Sequence, residues 1–162
     1  MVGNEVVSED NITSLTNPTG LQDESAKGWN NESPYYGTTA FSTSSSTYKG
    51  SIVEGYVEAY KTKLEEMGAT FIDDTTGEHE MESASGVRLI TFDELKTLGC
   101  NDNIDYTCPI GFLTETSYWS GSPDGGDFVW SVFSSGNFAS NDYNIAINFG
   151  VRPVIIISSS EI

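Results

Sequence analysis

The hydrophobic positions of the chain first follow a helical period. Between residues 51 and 68, apolar and aromatic side chains recur every three or four residues, which predicts an amphipathic helix. Ser51 and Glu54 have the spacing of a capping box, and Gly68 is placed to end the helix in a left-handed conformation. We interpret the apolar stripe as a core face rather than a ligand groove; it comprises Ile52, Val53, Tyr56, Val57, Tyr60, Leu64 and Met67.

A shorter unit follows, in which one strand precedes one helix. Residues 87–90 form a short β-prone run. Thr91 and Glu94 then have the spacing of a second capping box, and the helix that they start is expected to end at Gly99.

Beyond residue 117 the pattern changes to that of strands. Apolar and polar positions alternate in short runs separated by turn residues, which predicts a compact antiparallel unit. The run at 127–134 has apolar side chains on both faces and is expected to be central. Pro153 lacks a backbone donor, so the last run is expected at an edge or a bulge, or to begin pairing after the proline. The predicted strands are 118–120, 127–134, 138–140 and 151–158.

The N-terminal part shows no such period. Its low-complexity stretch at 38–47 predicts a loop, because Ser and Thr bury too little apolar surface to form a core element. We divide the chain into a Ser/Thr/Asn-rich segment, 1–47, packed on a domain formed by 48–162. Residues 5–12 resemble a strand without preceding context, so we expect further sequence upstream. The aromatic residues expected to pin the loop are Trp29, Tyr35, Tyr36 and Phe41.

The chain is strongly acidic. Among its 162 residues, 24 Asp and Glu oppose 7 Lys and Arg, for a formal net charge of −17. Such a charge repels phosphate backbones and anionic lipid surfaces, so neither nucleic acid nor a membrane surface is an expected partner. The chain contains no apolar run of about 18 residues, so no membrane span is predicted, and no signal peptide is visible. We interpret the acidity as a source of solubility, with recognition of a cationic partner as the alternative.

Two cysteines, Cys100 and Cys108, lie close together in a polar segment. A local disulfide is the favoured interpretation, and two free thiols or metal or redox chemistry are the alternatives. A disulfide would indicate an oxidising compartment. The single histidine, His79, belongs to an acidic loop predicted at 73–86, which lacks the spacing of a calcium loop. The sequence therefore predicts neither a metal nor a cofactor.

Arg152 is the only basic residue after Lys96. Because it lies in an apolar strand, its guanidinium is expected to be partly buried and held by a carboxylate or by loop carbonyls. Binding of an anionic ligand is the alternative role.

Several segments of the chain resemble one protein family. They are Tyr118-Trp-Ser-Gly-Ser122, Val129-Trp-Ser-Val132, Ser135-Gly-Asn-Phe138 and Phe149-Gly-Val-Arg-Pro-Val154, with the upstream pieces Arg88-Leu-Ile-Thr91, Asp93-Glu-Leu95 and Leu98-Gly-Cys100. Over residues 48–158 the chain resembles C-type-lectin-fold proteins of the formylglycine-generating-enzyme type. Within that group it most resembles bacterial and phage surface domains ending in Gly-(Val/Phe)-Arg-Pro-Val, including variable proteins diversified by retroelements.

The resemblance implies an α+β, C-type-lectin-like fold, in which two helices pack on a small twisted antiparallel sheet with long C-terminal loops. It also implies that ligand-contacting side chains lie in the C-terminal strands and loops. The chain departs from two subtypes of this fold. Calcium-dependent sugar-binding lectins have a Trp-Asn-Asp or Glu-Pro-Asn signature, whereas here Ser-Val follows Trp130 and Asn141-Asp142 follows Ser140. The oxidases of the family use C-terminal cysteines, and no cysteine follows Cys108. Neither activity is expected.

These observations favour a non-catalytic binding domain of an extracellular, cell-surface or phage-associated protein, with a protein or cell-surface ligand as partner. The alternative is a structural or assembly module of a pilus, surface layer or phage tail; an enzyme is less favoured because no catalytic motif is present. Structural roles are assigned to Trp119, Arg152, Cys100 and Cys108. We assign ligand binding to C-terminal residues whose types are typical of paratopes, although the same types also form ordinary turns. These residues are Asp124, Asp127, Trp130, Phe133, Asn137, Asn141, Asp142, Tyr143, Asn144 and Asn148.

Overall fold

The computed structural model describes residues 39–72, 86–101, 107–144 and 149–157 of the chain. Two α helices and two small antiparallel sheets form this part of the protein, which confirms the predicted α+β class. The elements are α1 (Ile52–Glu66), β1 (Val87–Leu89), α2 (Phe92–Thr97), a 3₁₀ turn (Gly111–Leu113), β2 (Tyr118–Pro123), β3 (Phe128–Val132), β4 (Phe138–Asp142) and β5 (Pro153–Ile155). Outside the described residues lie the predicted strand at 5–12, Trp29, Tyr35, Tyr36 and His79.

The side chains of Ser51 and Glu54 both accept backbone hydrogen bonds at the start of α1. The Ser51 hydroxyl accepts a hydrogen bond from the Glu54 N–H at 3.0 Å, as the capping box predicts. The second half of that prediction is wrong, because the Glu54 carboxylate accepts from the N–H of Gly50 instead. The N–H of Ser51 is already used by the Tyr48 carbonyl, at 3.0 Å. At the other end Gly68 adopts the predicted left-handed conformation, with φ +89°.

The apolar stripe of α1 packs into the core over most of its length. Val53 and Val57 are completely buried. The prediction is wrong for Met67, whose side chain is 80% exposed. α1 ends at Glu66, so Met67 is its C-cap residue and lies beyond the last helical turn that packs on the core.

The two sheets bring distant parts of the chain together. β1 and β5 pair antiparallel, with Val87 opposite Ile155. The other sheet has the order β2-β3-β4, so β3 is central as predicted. The sheets adjoin where the N–H of Gly121 donates to the Ile90 carbonyl at 2.9 Å. Since β1 and β5 are joined, the segment between them is anchored at both of its ends.

β5 begins at Pro153 rather than at Val151, because the chain crosses from one sheet to the other at this point. Just before the crossing, Gly150 lies beside β2: it accepts from the N–H of Trp119 at 3.2 Å and donates to the Ser117 carbonyl at 2.9 Å. The residues that follow cross to β1, where Pro153 lies opposite Leu89. A proline at the first residue of an edge strand removes no hydrogen bond from the ladder, as expected.

The core is centred on Trp119, which is completely buried. Its indole Nε1 donates to the Thr39 carbonyl at 2.8 Å. Its ring contacts those of Phe41 and Phe149, with centroids 5.7 and 4.5 Å away. Trp119 thus joins three segments that are remote in sequence. Phe41, the one pinning aromatic within the described residues, is completely buried, so the end of the N-terminal segment is part of this core.

Candidate functional site

Most of the predicted binding residues lie at the two ends of the three-stranded sheet. Phe128 pairs with Asp142, so the β2–β3 turn and the end of β4 are neighbours. Asn137 lies at the opposite end, after the β3–β4 turn, and Asn148 lies outside the described residues. The group at the first end consists of Asp124, Asp127, Asp142, Tyr143 and Asn144.

The turn that carries Asp124 and Asp127 is held in place by its backbone. Both residues of Gly125–Gly126 have positive φ, +83° and +56°, which a glycine adopts without strain. The Ser46 hydroxyl donates to the carbonyl of the second glycine at 2.8 Å. The N–H of Tyr143 donates to the Asp127 carbonyl at 2.9 Å. Both aspartates are exposed, and they project from a turn whose position is fixed.

On one face of the sheet, the side chains change from exposed to buried along the strands. Residues directly opposite each other in an antiparallel pair share a face. Phe128 lies opposite Asp142, and Trp130 lies opposite Ser140. Phe128 is 45% exposed and the other three are partly exposed. We call these four residues the open face. The next pair, Val132 and Phe138, is completely buried.

The buried end of this face is covered by α2. The ring of Phe92 lies 4.6 Å from that of Trp130 and 5.6 Å from that of Phe138, and the last two rings are 4.9 Å apart. Trp130 therefore has two roles: one part of it packs under α2, and another part remains accessible beside Phe128.

The side chains on the reverse face of the sheet make contacts that stabilise the fold. Val129 is completely buried. The Ser131 hydroxyl donates to the Ala139 carbonyl at 2.8 Å, and the Asn141 side-chain amide donates to the Ser131 hydroxyl at 2.8 Å. Asn141, predicted to bind ligand, thus uses its amide inside the sheet, and we do not include it in the candidate site.

Two further predicted binding residues pack against the Trp119 core. The ring of Phe133 meets the Phe149 ring edge-on at 4.9 Å. Tyr143 is partly buried against the same cluster, and its carbonyl accepts from the N–H of Phe41 at 2.8 Å. Both residues hold the sheet to its surroundings, and we do not include them in the candidate site.

Cys100 and Cys108 form a disulfide, as predicted. Both are almost completely buried beside Leu95 and Phe138. The N–H of Cys108 donates to the carbonyl of Gly136 in the β3–β4 turn at 2.7 Å. The disulfide therefore fixes the end of the sheet that carries Asn137, which is the end opposite the open face.

Arg152 lies over an aromatic ring, which the sequence did not indicate. Its guanidinium carbon is 5.2 Å from the centroid of the Tyr118 ring. None of the ion pairs in the described part of the chain involves Arg152, and its Nη1 and the Tyr118 hydroxyl are buried there without hydrogen-bond partners. Burial raises the pKa of the Tyr118 phenol, and the nearby Arg152 offsets part of that effect.

The buried Arg88 forms an ion pair that sequence reasoning missed. Its side chain is 4% exposed, and Nη1 and Nη2 donate to the two carboxylate oxygens of Glu94 at 2.8 and 2.7 Å. The N–H of Thr91 donates to the same carboxylate at 2.9 Å, which completes the predicted second capping box. In the sequence, the pair is indicated by a basic residue in an apolar strand that is followed by the acidic residue of a capping box.

The Arg88–Glu94 pair shifts the titration of the carboxyl. Burial by itself raises the pKa of Glu94, but the hydrogen bonds from Arg88 and Thr91 outweigh it and lower the pKa to about 2. Both charges are satisfied by each other and by α2, so we assign this pair to the attachment of α2 to β1.

Among the described residues, no group of three or more His, Cys, Asp and Glu side chains is arranged to hold a metal ion. No helix in the same part of the chain is long and apolar enough to cross a membrane.

Comparisons with protein-family models, with characterised proteins and with solved structures find no match for this chain.

The open face contains two residues that were not predicted to bind ligand, Phe128 and Ser140. The alternation of residues 128–132 already places Phe128 on the same face as Trp130. The position of Ser140 depends on the register between β3 and β4, which the sequence alone left open.

Lowering the pH is expected to destabilise the domain through Glu94. Because its pKa in the folded protein, about 2, is below the ordinary value of 4.5, its contribution is present above about pH 5 and declines as the pH falls towards 2. Glu94→Gln leaves Arg88 buried without its carboxylate. Allowing for the partial exposure of Glu94, we expect a loss of about 2 kcal/mol in the free energy of unfolding at neutral pH.

Urea unfolding of both proteins, from neutral pH down to about pH 3, measures this effect. The difference between wild type and Glu94→Gln should shrink as the pH falls. A difference that is constant over the whole range would contradict the assignment.

Proposed function

We propose that this chain is a non-catalytic binding domain with a C-type-lectin-like fold, which recognises a protein or cell-surface ligand outside the cell or on a phage particle. The observation that carries the proposal is the open face. An aromatic ring that is 45% exposed lies opposite a carboxylate, Asp142, on a sheet whose reverse face packs on the core. Large aromatic side chains with adjacent polar groups are typical of binding surfaces.

The connections of the sheet support the proposal. β1 pairs with β5, and Trp119 ties the sheet to residues near both ends of the described chain. A surface carried on such a frame loses little conformational entropy when a ligand binds. The same arrangement allows side chains of the open face to change without loss of the core, as the resemblance to diversified variable proteins implies.

The disulfide supports a location outside the cytoplasm. Cys100 and Cys108 are bonded and buried in a chain that already has a hydrophobic core. Disulfides persist in oxidising compartments and are rare in the cytosol.

An assembly module is a second candidate function, and an exposed apolar strip favours it. Ile155 and Ile157 of the β5 segment are 37% and 43% exposed, and both alternate with Ile156. The Ile156 carbonyl accepts from the N–H of Ile72, which is itself 46% exposed. Exposed apolar side chains that lie close together are typical of contact surfaces.

A binding screen with matched variants tests the first function against the second. The domain is applied to arrays of bacterial and host surface proteins and glycans, and each hit is measured again with Phe128→Ala. We expect at least about a tenfold loss of affinity, the effect of removing a central aromatic contact. Phe112→Ala is the matched control, because Phe112 is an exposed ring, at 56%, on the 3₁₀ turn.

Hits that keep their affinity in Phe128→Ala and lose it in Ile155→Ser would contradict the first function and support the assembly module. The melting temperature of each variant shows whether its fold is intact.

Diversification by a retroelement predicts a pattern in the flanking DNA. We expect a near-copy of the segment that encodes residues 118–152, beside a reverse transcriptase gene and differing mainly at adenines. The substituted codons should include those of open-face residues and exclude those of Trp119 and Val129, which are completely buried. Sequencing the flanking DNA measures this directly. A copy whose differences fall on the buried positions would contradict the assigned surface, and the absence of a copy would leave a fixed binder.

A further inference from the structure

We infer that the open face binds a cationic side chain, an arginine or lysine presented by a protein partner. The inference rests on the binding function proposed above and names the chemistry of its ligand.

The register places an aromatic ring and a carboxylate side by side. Phe128 and Asp142 are directly opposite each other in the β3–β4 pair. Their Cβ atoms are therefore about 5 Å apart on one face. A guanidinium or ammonium over a ring face, with a carboxylate at its edge, gains both a cation–π contact and a charge-assisted hydrogen bond.

The carboxylates at this end of the sheet form no ion pair within the described part of the chain. Asp142, Asp127 and Asp124 are gathered at this end of the sheet, and none of them forms an ion pair with a described residue. The described cations Lys61, Lys63 and Arg88 pair with glutamates elsewhere. With a net charge of −17 over the chain, this end of the sheet attracts cations over a long range.

Two cation–π contacts of this kind already occur within the chain. Lys96 lies over the ring of Phe92, with its Nζ 5.5 Å from the centroid, and Arg152 lies over the ring of Tyr118 at 5.2 Å. No described cation lies over Phe128, which is the exposed ring that has an acidic residue opposite it in the sheet. The equivalent position over the Phe128 ring is therefore open to a cation from a partner.

A pair of short peptides that differ in one charge tests the inference. Acetyl-Gly-Arg-Gly-Tyr-Gly-amide and the same peptide with citrulline for arginine have nearly the same shape, but citrulline is neutral. Each is titrated into ¹⁵N-labelled domain, and the amide signals are followed. We expect the arginine peptide to shift the signals of Phe128 and Asp142 and to bind at least about fivefold more tightly than the citrulline peptide, a modest cation–π and ion-pair contribution of about 1 kcal/mol.

Variants separate a specific contact from general attraction to an acidic protein. Asp142→Asn and Phe128→Leu should each weaken the arginine peptide several-fold. Asp93→Asn removes one exposed carboxylate from α2 and should leave the affinity unchanged. Equal binding of the two peptides, or equal losses in Asp142→Asn and Asp93→Asn, would overturn the inference.

The inference and the proposed function fail in different ways. If array ligands are lost in Phe128→Ala but the arginine peptide does not shift Phe128, the binding function stands and the cationic specificity is wrong. If the arginine peptide binds at Phe128 but no array ligand depends on that residue, the specificity stands as a property of the face and the proposed role fails.

Discussion

The burial of the Trp119 indole is the constraint on which the rest of the structure depends. A buried indole N–H needs an acceptor, and the Thr39 carbonyl supplies it at 2.8 Å. To reach that position, the chain before α1 must pass through the core, where the rings of Phe41 and Phe149 both pack against the indole. One side chain therefore fixes β2 against both the beginning and the end of the described chain.

This constraint leaves the two faces of the three-stranded sheet with different tasks. The reverse face is packed on the Trp119 core and contains the Ser131–Asn141 hydrogen bond. The front face is covered by α2 and the disulfide at one end and is open at the other, beside Phe128. Since the backbone is held from behind, side chains on the open face are free to serve recognition. The Arg88–Glu94 pair has the complementary task of holding α2 over the covered end.

Local signals in the sequence predicted more of the fold than of the site. The second capping box, the glycine stop of α1, the central position of β3 and the disulfide all depend on residues near one another in sequence, and all are present. The site depends on register and on the packing of remote segments, which residue type does not reveal. Polar and aromatic residues in the C-terminal strands were therefore grouped by composition, although Tyr143 and Asn141 serve the frame and Asn137 lies at the far end. Phe128 was assigned to a strand but not to the site.

A saturation scan of β3 and β4, which requires no ligand, tests whether one sheet combines a structural face with a free face. Each variant is displayed on cells and its resistance to protease is measured as a report of folding. We expect Phe128, Ser140 and Asp142 to accept most substitutions, and Val129 and Ser131, both completely buried, to accept few. If the open-face positions are as intolerant as the buried ones, both faces are needed for folding, which would contradict a free face on this sheet.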